Sequence, residues 1–414
     1  MPVFRARTSF WLAGAVVALA LWTSACPTLV YPLYQADWGI STTTITWIFA
    51  AYPIALIPVL ILLGDISDHI GRRASMVLGL LAELIGVLFF VFAHDVAWLL
   101  IGRAFMGIGV GLSLSPASVA MVEFSKEGQE KRASVVATGI SALGIALAML
   151  VGGLLTQYAP APLRLNFVVL AVVIAVMAVL ILGLPRHTRA ETKQRWRVRA
   201  IVIPRGSRGT FFAGVIAFAS AFMLGAIVLP LGAKIAEQLA GSTNALVTGA
   251  LLAVFALCIV LASVYARRLG EWTLVILGAA ASLVAVWLYV ATGSAHSLLL
   301  FFIASAIAGA AYSFNFAGGL TVFSKYAAAH HRASMTSGGY LVGYAMQGIA
   351  APVLGWVVTG HGLMSGLDTG AIVFSVFFVA ALVAGVVARR VTRGRVPVGT
   401  VLASELAAGT PATK

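Results

Sequence analysis

The chain has 414 residues, of which 61% are hydrophobic and 10% are charged. A soluble protein carries about 25% charged residues because its surface faces water, so this composition excludes an ordinary soluble domain and predicts a protein surrounded by lipid. The net charge of +14 lies in short clusters between hydrophobic runs, which argues against a nucleic-acid-binding face and is typical of membrane topology signals.

The first hydrophobic run follows Arg5 and Arg7 and has the general form of a signal peptide. Similar runs recur along the whole chain, so we interpret it instead as the first of twelve transmembrane helices. The predicted spans are 9–30, 44–63, 74–93, 97–122, 133–158, 164–184, 210–233, 244–266, 272–292, 297–322, 334–359 and 368–390.

The distribution of basic residues supports this count. If the N-terminus is cytoplasmic, only Arg164 and Lys234 of the 27 Lys and Arg residues fall in segments on the opposite side, and Arg103 falls within a span. Cytoplasmic loops are enriched in positive charge. We therefore predict a multi-pass protein of a bacterial-type inner (plasma) membrane, with both termini cytoplasmic.

A long polar stretch divides the chain near its middle. It predicts an N-terminal six-helix bundle over 1–184, a basic cytoplasmic linker over 185–209, a second six-helix bundle over 210–390 and a disordered cytoplasmic tail over 391–414. The linker is either an interfacial segment bound to anionic lipid headgroups or a solvated connector.

A short internal repeat relates the two halves. Phe-Ser-Lys at 124–126 followed by Arg-Ala-Ser at 132–134 recurs at 323–325 and 332–334. Each copy falls between the fourth and fifth predicted spans of its half. This spacing favours two pseudo-symmetric six-helix bundles in one all-α membrane protein.

The most specific motif lies between the second and third spans and reads GDISDHIGRR. It resembles the signature of the major facilitator superfamily, in which Gly is followed four residues later by Asp and then by Gly-Arg-Arg. The matching residues are Gly64, Asp68, Gly71, Arg72 and Arg73, and His69 departs from the pattern. The resemblance covers residues 9–390 and implies that family's fold and transport by alternating access.

In that family this loop helps to latch the cytoplasmic side. Glu123 and Arg132 stand where the family often has an acid and a base. We therefore predict a charge network of Asp68, Arg72, Glu123 and Arg132, with Arg332 reaching across from the second half. The alternative is a set of exposed ion pairs worth less than about 1 kcal/mol each.

Two charged residues are predicted at membrane depth, where a charge is costly. The surroundings of Arg103 resemble the family's fourth-helix motif, with Met106 where Gln is common, which implies proton coupling. The alternative is a structural arginine bonded to backbone carbonyls. Glu83 lies on the adjacent antiparallel span, and we consider either a buried Glu83–Arg103 pair or a neutral Glu83 with local hydrogen bonds.

Five polar or aromatic residues lie in spans whose equivalents line the cavity in the family. They are Tyr52, Asn315, Tyr340, Tyr344 and Gln347. At membrane depth such groups need partners, which come from substrate or from neighbouring helices. They are our candidates for substrate contact, with helix packing as the alternative for each.

The fifth span bears on the direction of transport. Gly152 and Gly153 are present but the proline of the drug–proton antiporter signature is absent, so the chain only partly resembles that twelve-helix branch. We predict proton-coupled efflux of small amphiphilic or drug-like compounds. The alternatives are uptake of a small polar metabolite, such as a sugar or organic acid, and a solute sensor on the same fold.

Motifs for enzymes and cofactors are missing from the sequence. It has no nucleophile elbow, zinc-binding HExxH or Walker phosphate loop. We therefore expect no enzymatic activity, no cofactor, no metal site and no nucleic-acid partner, and we expect a monomer that binds a small-molecule substrate and protons.

Overall fold

Helices form all the regular secondary structure in the described part of this computed structural model. It describes residues 4–64, 66–126, 129–185, 203, 207–327 and 331–392, and the side chains at 130–132, 134, 135 and 333 lie outside that description. The helices are α1 (Ala6–Ala25), a 3-10 turn (Cys26–Leu29), α2 (Tyr31–Trp38), α3 (Thr42–Leu63), α4 (Ile66–Ile70), α5 (Arg72–Val91), α6 (Val96–Glu123), α7 (Glu130–Tyr158), α8 (Leu165–Ile181), α9 (Arg208–Gln238), α10 (Ala245–Ala266), α11 (Glu271–Ala295), α12 (Leu298–Lys325), α13 (Arg332–His361) and α14 (Leu363–Thr392).

Each predicted span corresponds to an apolar helix. Among the described residues, eleven helical segments are long and apolar enough to cross a membrane, and the first runs from Ala6 to Trp38 through α1, the 3-10 turn and α2. The twelfth, α8, has 17 residues, the lower limit of the range of about 17–25 that spans a bilayer. The predicted all-α membrane fold is confirmed.

The helices pack as two bundles that repeat one arrangement. In the first bundle α5 packs on α6 and α1 on α7, and in the second α11 packs on α12 and α13 on α9. The internal repeat falls at equivalent places, because α6 and α12 end where its first half lies and α7 and α13 begin at its second half. Most of the predicted linker and tail lies outside the described residues.

Two helix pairs, α3 with α13 and α7 with α10, hold the bundles together. The backbones meet closely at glycines of the second bundle. A side-chain carbon at Gly249 would overlap the carbonyl of Met149, and one at Gly355 would overlap the side chain of Thr46. Small residues permit such approach between membrane helices, so these glycines allow the bundles to touch.

Hydrogen bonds between the bundles close one end of the molecule, which we call the Thr43 end. The N–H of Thr43 donates to Thr359 Oγ1 at 2.9 Å, and its hydroxyl donates to the carbonyl of Gly355 at 3.1 Å. Nearby, Lys234 Nζ of α9 donates to Thr42 Oγ1 at 2.6 Å. The opposite end, which carries the predicted latch, is called the Arg72 end.

Candidate functional site

A cavity of about 70 Å³ lies between the two bundles. Both bundles contribute to its wall. Most of the wall is apolar, and the lining residues include no charged side chain. The aromatic members are Phe49, Tyr52, Phe222, Phe255, Tyr312 and Tyr344, and the polar members besides the tyrosines are Ser24 and Gln347. Such a wall suits a ligand that is mostly apolar and carries few polar groups.

Three of the five predicted cavity residues line this space: Tyr52, Tyr344 and Gln347. Asn315 lies instead between α12 and α11, where its amide donates to Ser282 Oγ at 2.9 Å. Tyr340 packs edge-on against Phe218, with ring centroids 5.2 Å apart. The position of a residue along the sequence indicates its depth in the membrane. It does not indicate whether the residue lies on the face of α12 that meets α11 or on the face that meets the cavity.

The remaining aromatic residues of the wall were not among those predicted from the sequence. Tyr312 is a tyrosine at membrane depth in α12, so the criterion that selected Tyr340 would also have found it. Phe49, Phe222 and Phe255 carry no such signal, because a phenylalanine in a lipid-spanning run is indistinguishable from a packing residue until the helix faces are known.

Arg103 is fully buried and directly behind the cavity wall. Its guanidinium donates to the carbonyl oxygens of Ser24 at 2.9 Å and Phe49 at 3.4 Å. The guanidinium carbon also lies 4.8 Å from the centroid of the Tyr52 ring, within the range of cation–π contacts. All three of these partners line the cavity.

Prolines explain why these carbonyls accept from a side chain. Phe49 lies four residues before Pro53 inside α3, and proline has no N–H to complete that helical bond. Ser24 lies three residues before Pro27, at the point where α1 gives way to a 3-10 turn, whose bonds join residues three apart. Arg103 therefore satisfies two buried acceptors that the backbone leaves free.

Glu83 is also fully buried, on α5. Its two carboxyl oxygens accept from Ser113 Oγ at 2.7 Å and from Thr23 Oγ1 at 3.1 Å. The considered pair between Glu83 and Arg103 is not formed, since each has its own partners. The reason is helix rotation: Glu83 faces one side of α6, whereas Arg103 leaves α6 toward α1 and α3.

The predicted latch residues meet at the Arg72 end. Arg72 Nη1 lies 3.0 Å from Asp68 Oδ1, and Arg72 Nη2 lies 3.1 Å from Glu123 Oε1. All three residues belong to the first bundle. Arg332 is exposed and joins no ion pair within the described part of the chain, and the side chain of Arg132 lies outside the described residues.

The glycines of the motif shape the loop around this network. Gly71 has φ +89°, a conformation that other residues adopt only with strain, and it immediately precedes α5. A side-chain carbon at Gly64 would lie 2.6 Å from the carbonyl oxygen of Leu60. Arg73 turns away from the network and donates to the carbonyl of Leu184 at 3.0 Å, which ties α5 to the end of the first bundle.

The second bundle carries an equivalent ion pair of opposite polarity, which was not predicted from the sequence. Glu271 at the start of α11 lies 2.8 Å from Lys325 Nζ at the end of α12. Tyr326 OH also donates to Glu271 at 2.8 Å and accepts from Trp272 Nε1 at 3.1 Å. Each bundle thus joins its third and fourth spans by a charge pair at the Arg72 end.

Comparison with known proteins identifies the family. A sequence profile described as Major Facilitator Superfamily matches residues 10–351. The chain is 34% identical over 149 residues to the puromycin resistance protein pur8 of Streptomyces alboniger, a match covering 36% of this chain and 27% of that protein. It is 28% identical over 160 residues to the multidrug efflux pump LfrA of Mycolicibacterium smegmatis, covering 37% and 32%. The matches thus span about a third or less of these relatives.

Solved structures share the fold. A bacterial homologue of the human lysosomal transporter Spinster, in an inward-facing and unoccupied conformation, superposes with a TM-score of 0.71 over 93% of this chain and 97% of that one, at 17% identity. The nucleoside transporter NupG superposes with a TM-score of 0.72 over 92% and 99%, at 15% identity.

Proposed function

This chain belongs to the Major Facilitator Superfamily, and from that premise we propose that it exports small amphiphilic compounds in exchange for protons. The observation that carries the proposal is the aromatic cavity between two bundles that are joined at the Thr43 end. Alternating access requires such a central site, reached from one side at a time. The names of pur8 and LfrA, which refer to drug resistance and efflux, support export as the direction.

The proposal includes an orientation in the inner membrane. The Arg72 end, with its clusters of basic residues, faces the cytoplasm together with both termini. The Thr43 end is then extracytoplasmic, and the described state is closed to the outside. In the opposite state, Arg332 of the second bundle approaches the charge network that Asp68, Arg72 and Glu123 already form in the first bundle. The protein acts as a monomer, and the linker over 185–209 binds anionic lipid headgroups.

Dye export tests this function. In cells that lack their main efflux pumps, the protein is expected to lower accumulation of the uncharged amphiphilic dye Nile Red severalfold, and a protonophore is expected to remove the effect. Asp68→Asn should abolish export because it removes the carboxylate that pairs with Arg72. Asp37→Asn, the same change at an exposed site in α2, is the matched control.

Two other results would redirect the proposal. Export that persists with the protonophore would exclude proton exchange as the driving force. No export by a protein that reaches the membrane, followed by uptake of a labelled sugar or organic acid, would establish the metabolite alternative instead. The aromatic wall argues against that alternative, since it offers few hydrogen-bonding groups to a polar solute.

Glu83 is the proposed proton carrier, and two substitutions separate that role from a structural one. Glu83→Gln keeps acceptor and donor atoms for Ser113 and Thr23 but cannot exchange a proton, so we expect normal thermal stability with loss of proton-driven export. Glu83→Leu leaves both hydroxyls without this acceptor and should also lower stability, by about 1–3 kcal/mol. Full export by the Gln variant would show that Glu83 is only structural.

A further inference from the structure

The buried charge beside the cavity restricts what the cavity can bind. We propose that it takes uncharged or anionic aromatic compounds and disfavours organic cations, because Arg103 places an unpaired positive charge behind its wall. This inference rests on the proposed function and adds a substrate class to it.

Among the described residues, the positive charge of Arg103 has no acidic partner. Its bonds go to two backbone carbonyls, its Nε has no hydrogen-bond partner, and no carboxylate forms an ion pair with it in the described part of the chain. A buried charge without a counter-charge is costly and acts strongly on its surroundings, because little water screens it. The positive field of Arg103 does not raise the binding free energy of a neutral or anionic ligand.

The field reaches the cavity directly. Ser24, Phe49 and Tyr52 all contact Arg103 and also line the cavity, so one layer of residues separates the guanidinium from a bound ligand. The guanidinium carbon of Arg103 already lies 4.8 Å from the centroid of the Tyr52 ring. A ring that holds one cation is a poorer partner for a second, so this tyrosine does not help the cavity to hold an organic cation.

The only buried acid of the first bundle among the described residues, Glu83, is not part of the cavity wall. Glu83 is held by Ser113 and Thr23, and neither of these residues lines the cavity. The cavity wall itself supplies aromatic faces and the Gln347 amide but no carboxylate. A cationic ligand would therefore meet one nearby positive charge and no negative partner, whereas an aromatic carboxylate or alcohol meets a compatible wall.

Three probes of one shape and different charge test the inference on the purified full-length protein. They are 2-naphthoate, 2-naphthylmethanol and 2-naphthylmethylammonium, and their dissociation constants are measured by equilibrium dialysis in a nonionic detergent. We expect the ammonium compound to bind at least about tenfold more weakly than either of the others. Equal or tighter binding of the ammonium compound would overturn the inference.

Variants test whether Arg103 causes the charge preference and whether the probes bind in the cavity. Arg103→Lys retains the charge and should retain the preference, whereas Arg103→Gln should reduce it. If the Gln variant does not fold, the comparison of the three probes on the wild-type protein still decides whether the preference exists. Gly225→Leu should weaken all three probes, because its first side-chain carbon would lie 2.9 Å from Gln347 Nε2 in the cavity. Unchanged binding by that variant would place the probes elsewhere and contradict the inference.

Failure of this inference is distinguishable from failure of the proposed function. If none of the three probes binds, the assigned ligand class is wrong, and the Nile Red assay still decides independently whether the protein exports an amphiphile. If the dye is not exported but the charge preference appears, the cavity binds the assigned class and the proposed transport direction is the part that fails.

Discussion

Arg103→Met is expected to destabilise the protein by at least about 2 kcal/mol and to abolish export. The substitution preserves an unbranched stem but replaces the guanidinium by an apolar end, and so removes the donors to the carbonyls of Ser24 and Phe49. Each buried acceptor left without a partner costs about 1–3 kcal/mol, and the lipid around the bundle supplies no replacement donor. Thermal unfolding of the purified protein in detergent measures the loss.

Pro53→Ala provides a specific rescue of that variant. Alanine restores the N–H that Pro53 lacks, so the Phe49 carbonyl regains a helical partner and depends less on Arg103. The cost of Arg103→Met should therefore be smaller in the Pro53→Ala background than in the wild type. Pro58→Ala, the same change five residues further along α3, is the matched control and should give no rescue. Equal costs in all three backgrounds would show that Arg103 does not act through this carbonyl.

Joining the bundles covalently at the Thr43 end is expected to stop transport completely and reversibly. The hydroxyl oxygens of Thr43 and Thr359 lie 2.9 Å apart across the interface, so cysteines at the two positions should form a disulfide on oxidation. A bond there prevents the cavity from opening at this end, as alternating access requires. Nile Red export should disappear with oxidant and return with reductant.

Each single-cysteine variant is a control, because one introduced cysteine cannot join the two bundles. The natural cysteines should not interfere. Cys26 is buried and Cys258 is half-buried, so neither should respond strongly to the oxidant. Full export by the oxidised double variant, with the disulfide demonstrated by gel mobility after proteolysis, would mean that this end does not open during transport.

Sequence alone predicted the parts of this structure that depend on local patterns. The spans follow from hydrophobic runs, and the contact of Arg72 with Asp68 joins residues four apart at a helix start. The geometry around Arg103 depends on helix rotation instead. Glu83 and Arg103 lie on neighbouring helices at compatible depths, yet α5 and α6 turn them toward different partners. Depth along a helix can be counted from sequence, whereas the direction of a side chain depends on packing.

The same limit explains the missed ion pair of the second bundle. The equivalent loop of the second bundle reads SVYARRLG and lacks the Asp of the GDISDHIGRR motif. The structure places Glu271 at the equivalent helix start and Lys325 at the end of the neighbouring helix. The connection is preserved with its charges exchanged, and a search for identical residues at equivalent positions does not detect such an exchange.

The bond between Arg103 and the carbonyl freed by Pro53 has an evolutionary consequence. A lineage that replaces the proline regains a backbone hydrogen bond and depends less on the arginine. A lineage that loses the arginine first is left with an unpaired acceptor inside the protein. The two positions, 50 residues apart in the sequence, should therefore change together, with the proline replaced first. Among descendants of this chain, that order of substitution would record the hydrogen bond as a historical constraint.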